Sequence, residues 1–505
     1  MVRPRQDYPT QNVTVLPVRS ADEISRLFPA PPGMVGDIWP PVQLTYLSAY
    51  LEQIRCATVL IEDHYVDRDY VEDMAIFYAR SLRAYPPYCQ RMHFFSETFD
   101  ETKWRDLLVR ANRGEAENMR QWLQESYLGF CVTRPLPGSP LGRTVVATFG
   151  SEAGDGLKRE FEGAREYIVH LGGFELHVEG LAFQQQDQGV SACATIALWS
   201  AIHRVAPMEG LPAMTPAQIT EAATRYYLPG GRALPSEGLT VNQLCEAIRA
   251  GGLAPIVIPT TSPEIDRGQL LGYIRSGLAP VLAVETLSTG EGHAVCAVGV
   301  KVGAVKPQTD MSLAYRDGAT ALQGLYLHDD RLGPYASADI YNLTDPKSGF
   351  IRTALRIRWP GSEDEADHLL LRAIVVPAPA KIRLTVTRMR SLGLPIADAT
   401  GVLLARTVDM NCRYDVASSY RARAFQFDLT DDGAYLLSHA LVLSRYIGLI
   451  ELSDDEGPLM DILLDSTETV ANPSVLACVV RRSLDADAEE TLAHLSQQLA
   501  AAHVS

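Results

Sequence analysis

The chain has 505 residues, 47% of them hydrophobic and 21% charged, with a formal net charge of −16 at pH 7. This composition excludes an overall disordered chain, and the acidic balance removes any global attraction to phosphate backbones or anionic lipid. At roughly 150 residues per domain the length corresponds to about three domains, and no stretch reaches the roughly 18 consecutive apolar residues of a membrane span.

The opening MVRPRQDYPTQNVTV is polar and then strand-like, without the apolar core of a signal peptide, so a cytoplasmic protein is expected. Eight cysteines (56, 89, 131, 193, 245, 296, 412 and 478) are scattered, with no C-x-x-C pair. Reduced thiols are therefore the expectation, most of them serving as small buried hydrophobes.

Residues 1–150 read as an α+β unit with its own core and no assignable chemical motif. A helical period runs over 44–54, and 57–62 is an apolar strand candidate. The acidic stretch EDHYVDRDYVEDMAIFYARSL then repeats its apolar residues at helical spacing (Tyr70, Val71, Met74, Ala75, Phe77, Tyr78). The carboxylates of its first part, EDHYVDRD, lie near a His, but without His-x-x-x-His spacing or a Cys partner they predict a solvated acidic helix face, not a zinc site. YLGFCVTRPL and RTVVATF read as strands joined by the turn residues of PGSPLG.

Residues 151–360 are more legible. EYIVHL and FELHVE flank Gly172 and Gly173, a short hairpin signal. No Lys-Ser/Thr follows those glycines, so they are not a phosphate-cradling loop. The polar FQQQDQGVSA then feeds Cys193 and the helix-period run ATIALWSAIHRV. Two further helices are expected from Thr215, with Pro in the first turn, and from Thr240. Strands follow at 255–259, 279–286, 293–302 and 324–330, the first two separated by a helix in EIDRGQLLGYIRSG. Helices first and strands afterwards point to helices packed on an antiparallel sheet.

Residues 361–505 open with GSEDEADH, another acidic run expected to be solvated, and the Pro-punctuated VVPAPAK. Strand-like runs follow at RARAFQFDL, YIGLIEL, LMDILLD and SVLACVV. A last helix over DADAEETLAHLSQQLAAA carries an acidic first turn that suits the helix dipole. Arginines near 352–357, 382–390 and 421–423 alternate with apolar residues, as on strand faces. No basic patch for nucleic acid emerges, and no internal repeat is evident.

The chemistry concentrates on one cysteine. Cys193 lies where a polar, Gly-containing loop meets the first turn of an apolar helix, and unpaired N–H groups and the positive helix end there stabilise a thiolate. A thiolate needs a proton shuttle, and His293 opens a strand directly after STGEG. A third group must orient the imidazole. Asp329 ends the next strand and reaches the start of a neighbouring strand if the two run antiparallel; Asp330 competes with it. Acyl transfer also needs donors for an oxyanion. The Cys193 backbone N–H is one, and Gln184, Gln185, Gln186 and Gln188 are candidates for the other. Cys296, three residues beyond His293 in a strand, points to the opposite face. His203, ten residues beyond Cys193, is about 15 Å away along the helix.

The run FQQQDQGVSACATIALW … GEGHAVCAVGV … GLYLHDDRLGPY resembles the papain-like cysteine peptidases. It is most similar to the bacterial branch that includes the leader-cleaving peptidases of bacteriocin exporters. The resemblance spans residues 170–345 or so. It implies a papain-like core with Cys193 as nucleophile, His293 as general base and acid, Asp329 as its orienter and Gln186 as oxyanion donor. Three departures accompany it. The family's amide usually stands six residues before the Cys, where this chain has Asp187. Ala194 follows the Cys in place of the usual Gly or Trp. No transporter segment or nucleotide-binding loop accompanies the unit.

The expected architecture is therefore α+β throughout: an N-terminal unit (1–150), a papain-like core (151–360) and a C-terminal unit (361–505). The expected function is a cytoplasmic thiol hydrolase of peptide or isopeptide bonds that needs no cofactor or metal. Its partners would be a peptide or protein substrate and a regulatory protein acting through the flanking units, with no nucleic acid and no membrane. Acyl transfer or deamidation by the same triad is the alternative, as is an inactive recognition module in a larger complex.

Overall fold

The computed structural model describes residues 12–30, 39–136, 138–187, 189, 192–226, 238–307, 312–359, 366–468 and 475–501. Gln188, the first eleven residues and the acidic 361–365 lie outside the described residues. The fold is mixed α+β, and three sheet arrangements organise it.

The first is a five-stranded meander. Val13–Pro17, Thr58–Tyr65, Cys89–Phe95, Tyr127–Thr133 and Leu141–Val146 pair in sequence order, each antiparallel to the next. Helices Val42–Gln53, Arg68–Ile76, Glu101–Arg110 and Ala116–Ser126 occupy the connections. The hairpin Arg165–Leu171 with Phe174–Gly180 forms as expected, because Gly172 and Gly173 both take positive φ (57° and 90°) at the turn.

The second arrangement is a closed barrel of six antiparallel strands. Val281–Thr286 pairs with Gly292–Val302, which pairs with Leu322–Asp329; Gly333–Thr344, Ile351–Arg358 and Ala366–Ala378 continue the circuit. The last strand returns to the first, so Leu282 lies opposite Ile374. Closure removes the free edges that an open sheet would expose. Ala254–Pro259 adds outside the circuit, along the C-terminal half of the closing strand.

The helix Cys193–Met208 packs over this barrel and touches four of its strands. Twelve of its sixteen residues are buried, which accounts for a sequence apolar on nearly every side. The helices Pro216–Thr224 and Val241–Ala250 start where Thr215 and Thr240 form capping boxes, each with a Gln at the third helical position.

The third arrangement is the sheet of Val408–Val416, Tyr446–Asp454, Gly457–Asp465 and Val475–Val480. Tyr315–Asp317, from within the 151–360 span, joins it in parallel with Val408–Val416. Here the strand-like reading of the arginine runs is corrected. Residues Val386–Leu404 form a helix burying Val386, Met389, Gly393, Ala397 and Thr400, a helical spacing that the alternating arginines masked. RARAFQFDL is likewise no strand: Ala417–Ala424 is a helix burying Ala417, Tyr420 and Ala424, and its alanines favour that state. Only 352–357 lies in a strand, as expected. No helix among the described residues is long and apolar enough to cross a membrane.

The acidic N-terminal stretch is a further correction. The helix Arg68–Ile76 does not present a solvated acidic face: Asp67, Asp69 and Asp73 are 2%, 1% and 0% exposed. Asp67 caps the helix and pairs with Arg143 at 2.5 Å. Asp69 accepts from the indole of Trp199, and Asp73 accepts from the backbone N–H of Ala217. Carboxylates that look solvated in sequence instead bond to Trp199 of the Cys193 helix, to Arg143 and to Ala217; burial, then the nearby Asp187, pushes Asp73 well above the ordinary carboxylate range.

Candidate active site

Cys193 is the first residue of its helix and is half-buried. The preceding residue, Ala192, is extended and has no side-chain acceptor for the helix N-terminus. The next helices in this region are capped by Thr215, Thr240 and Ser262. The first-turn N–H groups at Cys193 are thus not consumed by a cap and remain available to an anion.

His293 is the second residue of its barrel strand, set opposite Val284. The next barrel strand runs antiparallel and ends at Asp329. Antiparallel pairing brings the end of one strand beside the start of the other, so His293 Nε2 lies 2.9 Å from Asp329 Oδ1. Asp330 Oδ1 is 3.9 Å from the same nitrogen. Of the two competing carboxylates, Asp329 is therefore the one in hydrogen-bond contact. Cys193 also acts on the ring and favours its protonated form.

The electrostatics follow from this crowding. Burial disfavours the imidazolium, but the charge and hydrogen bond of Asp329, then Cys193 and Asp330, outweigh it and raise His293 to about 10. Burial likewise works against the Asp329 carboxylate, yet His293 and Arg331 hold it well below the ordinary carboxylate range. Arg331 donates from its backbone N–H and Nε to Oδ1, at 3.0 and 3.3 Å, and from Nη2 to Oδ2 at 3.1 Å. Its Nη1 reaches Asp367 at 3.1 Å. Burial and the Asp329 charge push Asp330 up to about 6, against the pull of His293 and Arg331.

The amide candidates separate. Phe183 bridges to Thr144, and the Gln185 N–H donates to the Leu141 carbonyl, so this stretch runs as an added strand along the edge of the N-terminal sheet. The Gln185 side chain donates to the Gly138 carbonyl and accepts from the Leu141 N–H. In an extended segment alternate residues share a face, so Gln184 and Gln186 point away from Phe183, Gln185 and Asp187. Gln184 is fully buried with an unpartnered amide nitrogen, while Gln186 is half-buried. Neither makes a bond to Cys193 or His293. Gln188 lies outside the described residues. Asp187, at the position where the resembling family carries its amide, faces Arg134 instead, with Nη1 to Oδ2 at 3.6 Å.

The discounted groups also find places. Cys296 is buried beside its strand neighbours, and His203 bonds to the Trp199 carbonyl one helical turn back. Cys245 is buried and Cys478 half-buried. From the run EDEADH, Asp367 supports Arg331 and His368 bonds to Tyr341.

Sequence reasoning missed the supports. Gln43 donates to the Asp330 carbonyl at 3.1 Å, and Tyr46 packs against Gly333 in the turn beyond it. The Asp-Asp-Arg run was a visible hint of Arg331; nothing local points to residues almost 290 positions upstream. Among the described residues, the only cluster with metal-ligand character is His293, Asp329 and Asp330, and the Asp329 oxygens are already engaged by Arg331 and His293.

No protein-family model matches this chain, and no curated protein matches it in sequence.

Proposed function

We propose that this protein is a thiol enzyme of the papain-like kind that hydrolyses a peptide or isopeptide bond. The supporting observation is one imidazole held on Nε2 by Asp329 and favoured in its protonated form by Cys193, which opens a helix with no side-chain cap. His293 held in its protonated form is the counter-ion that a Cys193 thiolate needs.

In this reading the thiolate attacks the carbonyl carbon. The oxyanion is received by the Cys193 N–H and, in this reading, by the upstream amide of Gln186. His293 then gives its proton to the leaving amine, and Asp329 keeps the ring in register throughout. Water, deprotonated by His293, resolves the thioester. None of these steps calls on a cofactor.

The test is covalent labelling of the intact chain with an electrophilic thiol probe at neutral pH. Wild type should be labelled at Cys193, Cys193→Ala should not, and His293→Ala should react much more slowly. Equal labelling of wild type and Cys193→Ala would reject the reading and favour an inactive recognition module. Comparing hydrolysis products with amine-transfer products then separates peptidase from acyltransferase.

A further inference from the structure

The loop that delivers Cys193 is held from the N-terminal side as well as by the barrel, where the Phe183 ring meets His328 edge-on at 5.6 Å. Its residues 183–187 lie along the N-terminal sheet, and its one buried charge, Asp187, is gripped from that side. The Arg134 guanidinium, itself buried, pairs with Asp187 and donates from Nη2 to the carbonyls of Ser139 and Gln185, at 3.0 and 2.8 Å. The Tyr78 hydroxyl and the Asp187 carboxylate meet at Gly189, where an added Cβ would stand 3.3 Å from the one and 3.5 Å from Oδ1 of the other. Asp187 Oδ1 in turn accepts the Gly189 N–H at 2.9 Å. Gly189 lies so close to Tyr78 that an added Cβ would stand 3.2 Å from the ring.

We propose that Arg134 and Tyr78 are positioning residues for catalysis. Acting through Asp187, they set the backbone of the loop that presents the upstream amide to the oxyanion; this rests on the thiol-enzyme reading above. Two geometric facts carry the inference. Asp187 lies between the Gln186 candidate and the turn at Gly189, so its carboxylate fixes the loop at its midpoint. Alternation then puts Gln186 on the face opposite Gln185 and Asp187, so fixing Asp187 also fixes the side to which Gln186 points. Displacement of about 1 Å at such a donor can cost on the order of 10²-fold in rate. The N-terminal unit thereby becomes part of the catalytic machinery rather than a passenger.

The test compares two reactions of one sulfur in the full chain. Alkylation by iodoacetamide forms no oxyanion, whereas acylation by p-nitrophenyl acetate passes through one and releases p-nitrophenolate. Tyr78→Phe, which removes one hydroxyl, should leave alkylation within about twofold and slow acylation roughly tenfold, with an unchanged melting temperature. Arg134→Lys, which keeps the charge but not the fork of donors, should show the same split.

Equal acylation by wild type and Tyr78→Phe would overturn the proposal, as would parallel loss of both reactions. A wild-type chain that is alkylated at Cys193 but never acylated would instead sink the thiol-enzyme reading.

Discussion

His293 Nε2 and Asp329 Oδ1 stand 2.9 Å apart, one at the start and the other at the end of adjacent antiparallel barrel strands. Both side chains are nearly sealed from solvent, and Arg331 covers the remaining oxygen of the carboxylate. Low solvent exposure makes this charge pair strong, and it sets the protonation state on which the site depends.

Replacing Asp329 by Asn should cut acylation of Cys193 on the order of 10²-fold. It should also move the alkaline limb of the pH profile from near 10 toward neutrality, because the charge that raises His293 is gone. Stopped-flow acylation between pH 5 and 10.5 measures both. An unmoved alkaline limb would contradict the assignment of Asp329.

The same pair makes a signed contribution to folding. His293 titrates near 6.5 when unfolded and near 10 when folded, so the native state retains a proton that the unfolded chain releases. This stabilisation is fully present below about pH 6.5 and is lost as pH rises through about 10. Urea denaturation at pH 6, 8 and 10 should show that decline in wild type and a flatter dependence in Asp329→Asn.

Asp330 is the control for Asp329. At 3.9 Å from Nε2 it adds field without a hydrogen bond. Asp330→Asn should lower acylation by no more than about tenfold, against the 10²-fold expected for Asp329→Asn. Equal losses would mean that the two carboxylates share the orienting role.

The buried acids of the N-terminal helix should matter for stability. Asp67 caps its helix and pairs with Arg143, and breaking a buried pair from one side costs about 3–5 kcal/mol. Asp67→Ala should therefore shift the urea midpoint strongly. A solvated aspartate would give less than about 1 kcal/mol, so the measurement separates the two environments.

Gly333 provides a packing test beside the site. A Cβ there would stand 2.3 Å from the Tyr46 ring. Gly333→Ala should destabilise by about 1–3 kcal/mol through overpacking and slow acylation by shifting the turn after Asp329. Gly333→Ala combined with Tyr46→Ala should recover part of the stability, as coupled neighbours do.

Most elements were legible in the sequence, because local signals specify them. Capping residues announced the helices after Thr215 and Thr240, and paired glycines announced the hairpin at 172–173. The misread segments, 386–404 and 417–424, carry arginines whose alternation imitates a strand face, while tertiary burial of every third or fourth residue decides for helix. The acids at 67 and 69 were misread for a related reason. Charge alone implies solvent, and only the approach of Trp199 and Arg143 supplies partners to bury it.

By itself the sequence determined the order Cys193, His293, Asp329 and the elements that carry each, since helix starts and strand ends are local properties of the chain. Barrel closure, the choice of Asp329 over Asp330, and the pairing of Arg134 with Asp187 were decided only by the tertiary structure. Each depends on contacts between segments far apart in the chain. Distances of a few ångströms across such contacts, rather than residue type, determine which group bonds to which.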